Sequence, residues 1–177
     1  MEEAAIAIVP LTPDLFDSYI SIGIKSYCQH YLHLWENRDP DPYIENSFSS
    51  DIVQKEWEDP NVSLFLICSN TIPVGILKLI LNKTFKLPEP VKCLFLERIY
   101  LLAEYSGRGI GARVLQFTEA IAREQNTKAV CLETMQKGPA LEFYQKNGYV
   151  IWSTKNLEYS GLVKAERPMF ILGKHLN

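Results

Sequence analysis

Residues 91–124 constrain this chain most. Val91–Leu101 is apolar on both alternating faces, as a central strand buried on both sides would be. Three glycines at alternate positions follow, Gly107, Gly109 and Gly111, and then Ile110, Val114, Phe117 and Ile121 recur at spacings of three and four. A buried strand that runs through a glycine-rich turn into an amphipathic helix is a building block of an α/β domain. Glycine lets the backbone turn tightly and present successive N–H groups without a Cβ in the way. With the dipole at the helix start, Tyr105–Ala112 becomes an anion cradle suited to a pyrophosphate. It is not a P-loop, because no Lys-Ser/Thr pair follows. Its mid-chain position also lacks the early βαβ context of a dinucleotide fold.

The rest of the chain fits around this unit as one domain, residues 1–177. A 47% hydrophobic share is ample for a packed core, and no internal repeat or low-complexity tract interrupts it. The net charge of -3 is spread along the chain. No Lys/Arg cluster grips nucleic acid, and a cationic small molecule would not be repelled. The acidic MEEAAIAIVP start is not a signal peptide, and no apolar run reaches the ~20 residues that span a bilayer. A cytoplasmic location is the expectation. Cys28, Cys68, Cys93 and Cys131 show no C-x-x-C spacing and read as buried, reduced thiols.

Ala4–Val9 reads as a first strand. Thr12-Pro13-Asp14 reads as the start of a helix to about Cys28, with Thr12 as its cap. Gln29–Phe48 is irregular and aromatic, with room for a short helix and loops, and Ser49-Ser50-Asp51 caps another short helix through Trp57. Val62–Cys68 and Val74–Leu81 form a hairpin, and Pro88 and Pro90 mark the loop before Val91. Asn126 ends the amphipathic helix, and Lys128–Thr134 is a strand. Pro139–Lys146 is a short helix closed by Asn147-Gly148, before the strands Tyr149–Trp152 and Arg167–Leu172. The order is β-α-α-β-β-β-α-β-α-β-β: one mixed α/β (α+β) domain.

From Leu96 onward the chain resembles the GNAT acetyltransferase superfamily. Leu96-Glu97-Arg98-Ile99-Tyr100-Leu101 with Ser106–Ala112 is similar to its fourth strand and pyrophosphate loop. Ala140–Tyr149 is similar to its A-x-x-x-Y-x-K-x-G-[FY] signature. Ser106 and Lys137 depart from the usual residues, Gln or Arg and Asn, without removing a cradle built from main-chain N–H groups. The ERIY stretch and Tyr43-Ile44-Glu45-Asn46-Ser47-Phe48 resemble the bacterial PaiA-like polyamine acetyltransferases, the N-terminal half only loosely.

The resemblance implies acetyl-CoA as co-substrate, no metal, and direct transfer of acetyl to a primary amine, a polyamine being one candidate. It implies a central mixed, mostly antiparallel sheet of six to seven strands flanked by about four helices, with the fourth and fifth strands splayed and the pantetheine arm pairing along Ile99, Tyr100 and Leu101 like an added strand. Thr134 lines the other wall. Gly107, Arg108, Gly109, Ile110, Gly111 and Ala112 form the cradle, Ala140 opens the second block, and Lys146 and Arg113 are set to meet phosphates. Tyr144 is implied as the acid that protonates the departing thiolate. Glu97, a carboxylate in an apolar strand, is the candidate base, with a water relay, a structural ion pair or a hold on substrate charge as its other roles. The acceptor site is expected from residues 27–57 and the loop near Tyr159, with Tyr31, Trp35 and Tyr43 offering cation–π contact. His30-x-x-His33 lacks the further ligands of a metal site. Peptide, protein and antibiotic amines are alternative acceptors. A non-catalytic acyl-CoA-binding regulatory module is the alternative class. A homodimer is expected from family habit alone.

Overall fold

The structure, a computed structural model, describes residues 5–87 and 89–177. Ala4 and Pro88, assigned above to the first strand and to a loop, lie outside them. In chain order come β1 (Ile6–Pro10), α1 (Phe16–Tyr31), α2 (Asp41–Phe48), α3 (Ser50–Glu58), β2 (Val62–Ser69), β3 (Ile72–Phe85) and β4 (Val91–Leu101). Then follow α4 (Ile110–Glu124), β5 (Ala129–Met135), α5 (Ala140–Lys146), β6 (Val150–Asn156) and β7 (Pro168–His175). One seven-stranded sheet runs β1-β2-β3-β4-β5-β7-β6, antiparallel throughout except between β4 and β5. Its mixed, mostly antiparallel character agrees with the sequence reading. Among the described residues there are five α-helices where about four were expected, and the short helix expected within Gln29–Phe48 is the eight-residue α2.

Strand alternation explains the two layers. In β2, Leu64, Leu66 and Cys68 pack with Tyr19 of α1, Phe48 of α2 and Val53 of α3. The intervening Phe65 and Ile67 pack on the other face with Ile110, Val114 and Leu115 of α4. Each such apolar side chain taken fully out of water contributes about 1.5–3 kcal/mol. Thr12 does not cap α1: Pro13–Leu15 forms a 3₁₀ turn first, and no side chain caps either start. Ser49 does cap α3, its Oγ accepting from the Ile52 N–H.

Two features of β4 position the site. Lys78 of β3 lies opposite Arg98 and Leu79 opposite Leu96, so Glu97 is an extra residue, a β-bulge. Furthermore, β4 pairs with β5 only at Leu94–Val130, Phe95–Cys131 and Leu96–Leu132. Beyond these three pairs the parallel strands part, leaving one edge of β4 without a strand partner.

Next to that pairing the structure corrects one expectation. Cys93 and Cys131 are joined in a disulfide rather than lying as reduced thiols, while Cys28 and Cys68 are free. Their Cα atoms are 6.1 Å apart on neighbouring strands, within the range a disulfide bridges. A separation of 38 residues carries no spacing motif. Thiol titration of unfolded protein should find two reactive cysteines without reductant and four after reduction. Four before reduction would remove the cross-link.

Candidate active site

Where β4 and β5 part, a cavity of about 660 Å³ opens on the face covered by α1 and α2. Its floor is the end of both strands: Glu97, Ile99 and Tyr100 from β4, and Glu133, Thr134 and Met135 from β5. Ala140 and Tyr144 of α5 close one side. A shallower depression of about 310 Å³ at Asp17, Ser18, Ser21, Ile22 and Pro73 has neither a tyrosine nor a glycine turn.

The turn before α4 is open above its backbone. Gly107 has φ +73° and Gly109 φ +78°, in the left-handed region that favours glycine. A Cβ built on either would meet nothing within 4 Å, so the space above the turn is open. No side chain caps α4, and its first turn closes with Arg113 N–H on the Gly109 carbonyl. The earlier N–H groups of that turn have no intrahelical acceptor, as at any helix start. Gly111 serves packing instead: a Cβ there would stand 2.9 Å from the Phe143 ring of α5. The cradle and α5 are thereby held in contact.

Tyr144 sits on α5 between the rings of Phe143 and Tyr149, and lines the cavity although only 8% of its surface is exposed. Burial raises its pKa well above the ordinary phenol range, so it is a neutral O–H at physiological pH. One wall of the cavity is a stack of tyrosines. Tyr27 stacks on Tyr43 at 4.3 Å and meets Tyr31 at 5.1 Å, and Tyr43 Oη lies 2.7 Å from Tyr100 Oη. Burial, then the neighbouring Tyr43, pushes Tyr100 up as well. Trp35 is 3% exposed and donates its indole N–H to Tyr27 Oη at 2.9 Å. The loop after β6 returns over this wall, with Tyr159 edge-on to both Trp35 and Tyr43.

Beneath the bulge lies a cluster of four charges. Glu56 of α3 contacts Lys78 Nζ at 2.6 Å and takes both Arg98 guanidinium nitrogens at 3.2 and 3.3 Å. Glu97 Oε2 is 2.5 Å from Lys78 Nζ and 3.7 Å from Arg98, close ionic contacts rather than well-directed hydrogen bonds. The Lys78 and Arg98 side chains are 7% exposed, Glu56 14% and Glu97 30%. Of the roles open to Glu97 in sequence, the structure realises the ion pair, and it also leaves the carboxylate at the cavity surface.

Other expected residues divide. Tyr31, Trp35, Tyr43, Ile99, Tyr100, Thr134 and Ala140 come together at the cavity. Leu101 packs into the α4 core, its carbonyl accepting from His30 Nε2 at 2.9 Å. Lys146 pairs with Glu142 at 2.6 Å, and Arg108 lies over the Tyr105 ring, so neither reaches the cavity. Lys137 pairs with Glu166 at 3.0 Å. Among the described residues, no three His, Cys, Asp or Glu side chains are grouped to hold a metal, and no helix is long and apolar enough to cross a membrane. Sequence reasoning passed over Glu56 and Lys78. A lysine inside the apolar run Val74–Leu81 was the available signal, since buried lysines are found paired.

Comparison with known proteins matches residues 26–149 to the model of the acetyltransferase (GNAT) family. Among solved structures, the PaiA N-acetyltransferase of Thermoplasma acidophilum, in complex with coenzyme A, has a TM-score of 0.75 at 19% identity, over 97% of this chain and 99% of that one. A GCN5-related N-acetyltransferase from Rhodopseudomonas palustris gives 0.75 at 16% identity, over 99% of both chains. A GNAT acetyltransferase from Elizabethkingia anophelis with acetyl-CoA bound gives 0.60 at 17% identity, over 97% and 98%. At these identities the likeness is one of fold.

Proposed function

This chain belongs to the GNAT acetyltransferase family, and from that premise we propose that it transfers acetyl from acetyl-CoA to a primary amine of a small molecule. The observation that carries the reading is the pair of features on either side of the β4–β5 parting: an open left-handed glycine turn at a helix start, and a buried neutral phenol at the cavity.

The co-substrate, when bound, supplies a thioester whose thiol leaves readily. Residues 107–112 would hold its pyrophosphate through main-chain N–H groups. The unpaired edge of β4 at Ile99–Leu101 offers backbone donors to the arm and to the developing oxyanion, with Thr134 opposite. Tyr144 gives its proton to the leaving sulfur. As the new N–C bond forms and the C–S bond breaks, Glu97 takes a proton from the attacking nitrogen, directly or through one water, while Lys78 balances its charge. Trp35, Tyr31 and Tyr43 form the acceptor wall within residues 27–57.

Thiol release from acetyl-CoA across polyamines, amino acids, aminoglycosides and short peptides tests the reading. Turnover with an amine supports it, and silence with intact coenzyme A binding would favour a binding module. Glu97→Gln should lower the rate and flatten the acidic limb of the pH–rate profile; an unaltered limb would send the base elsewhere. A rise in KM alone would mean that Glu97 only binds the acceptor. A cytoplasmic location belongs to this reading, with the Cys93–Cys131 disulfide shielded from cellular reductant by complete burial of both cysteines. So does a homodimer through the open β6 edge, where Val150 and Ile151 are exposed; light scattering that gives a single 20.3 kDa species would remove it.

A further inference from the structure

The charges that line the cavity are unequal. Lys78, Lys83, Arg98, Lys137 and Lys155 face it against Glu56, Glu97 and Glu133, an excess of two cations in a chain whose net charge is -3. Every lining carboxylate is already matched. Glu56 holds Lys78 and Arg98, Glu97 meets the same two, and Glu133 takes Lys155 at 3.0 and 3.1 Å. Lys137 is answered from outside the cavity by Glu166. What is left is Lys83, an exposed residue among the described ones with no carboxylate partner. Its backbone lies where the β3–β4 register slips between Ile80 and Lys83, next to Asn82 at φ +57°. That irregular turn of the strand brings Nζ to 5.7 Å from the centre of the Phe95 ring, a cavity residue.

An amine that attacks as the neutral base needs no counter-ion at the reacting end, so paired carboxylates suffice there. A second ammonium elsewhere on the acceptor would need one and would find none. A desolvated charge without a partner is costly, and like charges repel. We propose that the acceptor is an amine bearing an anionic group, a carboxylate or a phosphate, that Lys83 receives. The inference rests on the acetyltransfer reading above and selects against a polycationic acceptor.

A matched series tests it: pentylamine, 1,5-diaminopentane, 5-aminopentanoate and 5-aminopentyl phosphate. Each is measured by thiol release and by calorimetric binding to the coenzyme A-loaded protein. One or both anionic probes should exceed pentylamine about fivefold and the diamine should fall below it, the scale of a partly exposed ion pair. The better anion identifies the group. Lys83→Glu should reverse the order of the anionic probe and the diamine. A diamine equal to or better than pentylamine overturns the proposal, as does failure of both anions to exceed pentylamine, or a ranking that Lys83→Glu leaves in place. Ordered binding without thiol release would overturn the acetyltransfer reading instead and leave the charge preference standing.

Discussion

Tyr144→Phe should lower kcat about a hundredfold while leaving coenzyme A affinity unchanged. A hundredfold is about 2.7 kcal/mol of transition-state stabilisation, at the low end for a positioned proton donor because a thiolate leaves readily even without help. The ring would remain, with its contacts to Phe143 and Tyr149 at 5.1 and 6.1 Å, so packing of α5 and the cradle beside it should hold. The sign of the pH effect follows from burial. A phenol whose pKa is raised stays protonated as pH climbs, so the wild-type rate should show no loss from this group through neutral and mildly alkaline pH. Stopped-flow kinetics with calorimetry separate the two parameters. An unchanged kcat would remove Tyr144 from the reaction, and a loss confined to coenzyme A affinity would make it a binding residue.

The second large effect is on stability. Glu56→Ala should lower the melting temperature by roughly 10 °C, because removing one partner of a buried ion cluster costs about 3–5 kcal/mol and a domain of this size loses about 2–4 °C per kcal/mol. Glu56 is the only carboxylate of the cluster that contacts both cations within 3.3 Å. Glu97 is left to balance Lys78 and Arg98 alone, with the arginine 3.7 Å away. Glu56→Met combined with Lys78→Met should recover much of the loss, since apolar side chains of similar volume replace the desolvated pair and Arg98 keeps Glu97. A double variant no more stable than Glu56→Ala would mean that the cost is packing of α3 rather than orphaned charge.

What the sequence made legible is what local chemistry decides. The glycines at 107 and 109, the helical period of α4, the Asn147-Gly148 stop (Gly148 φ +87°) and the apolar β4 all follow from neighbours in the chain. The seven strands also follow from local pattern, whereas the splaying of the fourth and fifth strands came with the family resemblance. The rest depends on partners far apart in sequence. Glu56 meets Lys78 across 22 residues and Arg98 across 42, and Cys93 meets Cys131 across 38. Glu133 meets Lys155 across 22. Periodicity reports which face a residue takes, not which charge or thiol waits opposite. Composition misled in one respect: the sign of the whole chain is negative, whereas the cavity lining is positive.

The bulge at Glu97 also behaves as a shift of reading frame within a strand. Ahead of it the even positions, Leu94 and Leu96, belong to the α4 core; after it the odd ones do, Ile99 and Leu101. Arg98 and Tyr100 take the opposite side, over Phe48 and beside Tyr43. One residue thus converts an even rule into an odd one halfway along β4. Were every residue kept and the bulge absent, the even rule would continue and turn a guanidinium and a phenol into the apolar layer under α4, while Ile99 and Leu101 faced the tyrosines. Tyr100 therefore reaches the tyrosine wall only because the count in this strand is off by one, and deleting Glu97 would keep these faces while straightening the strand.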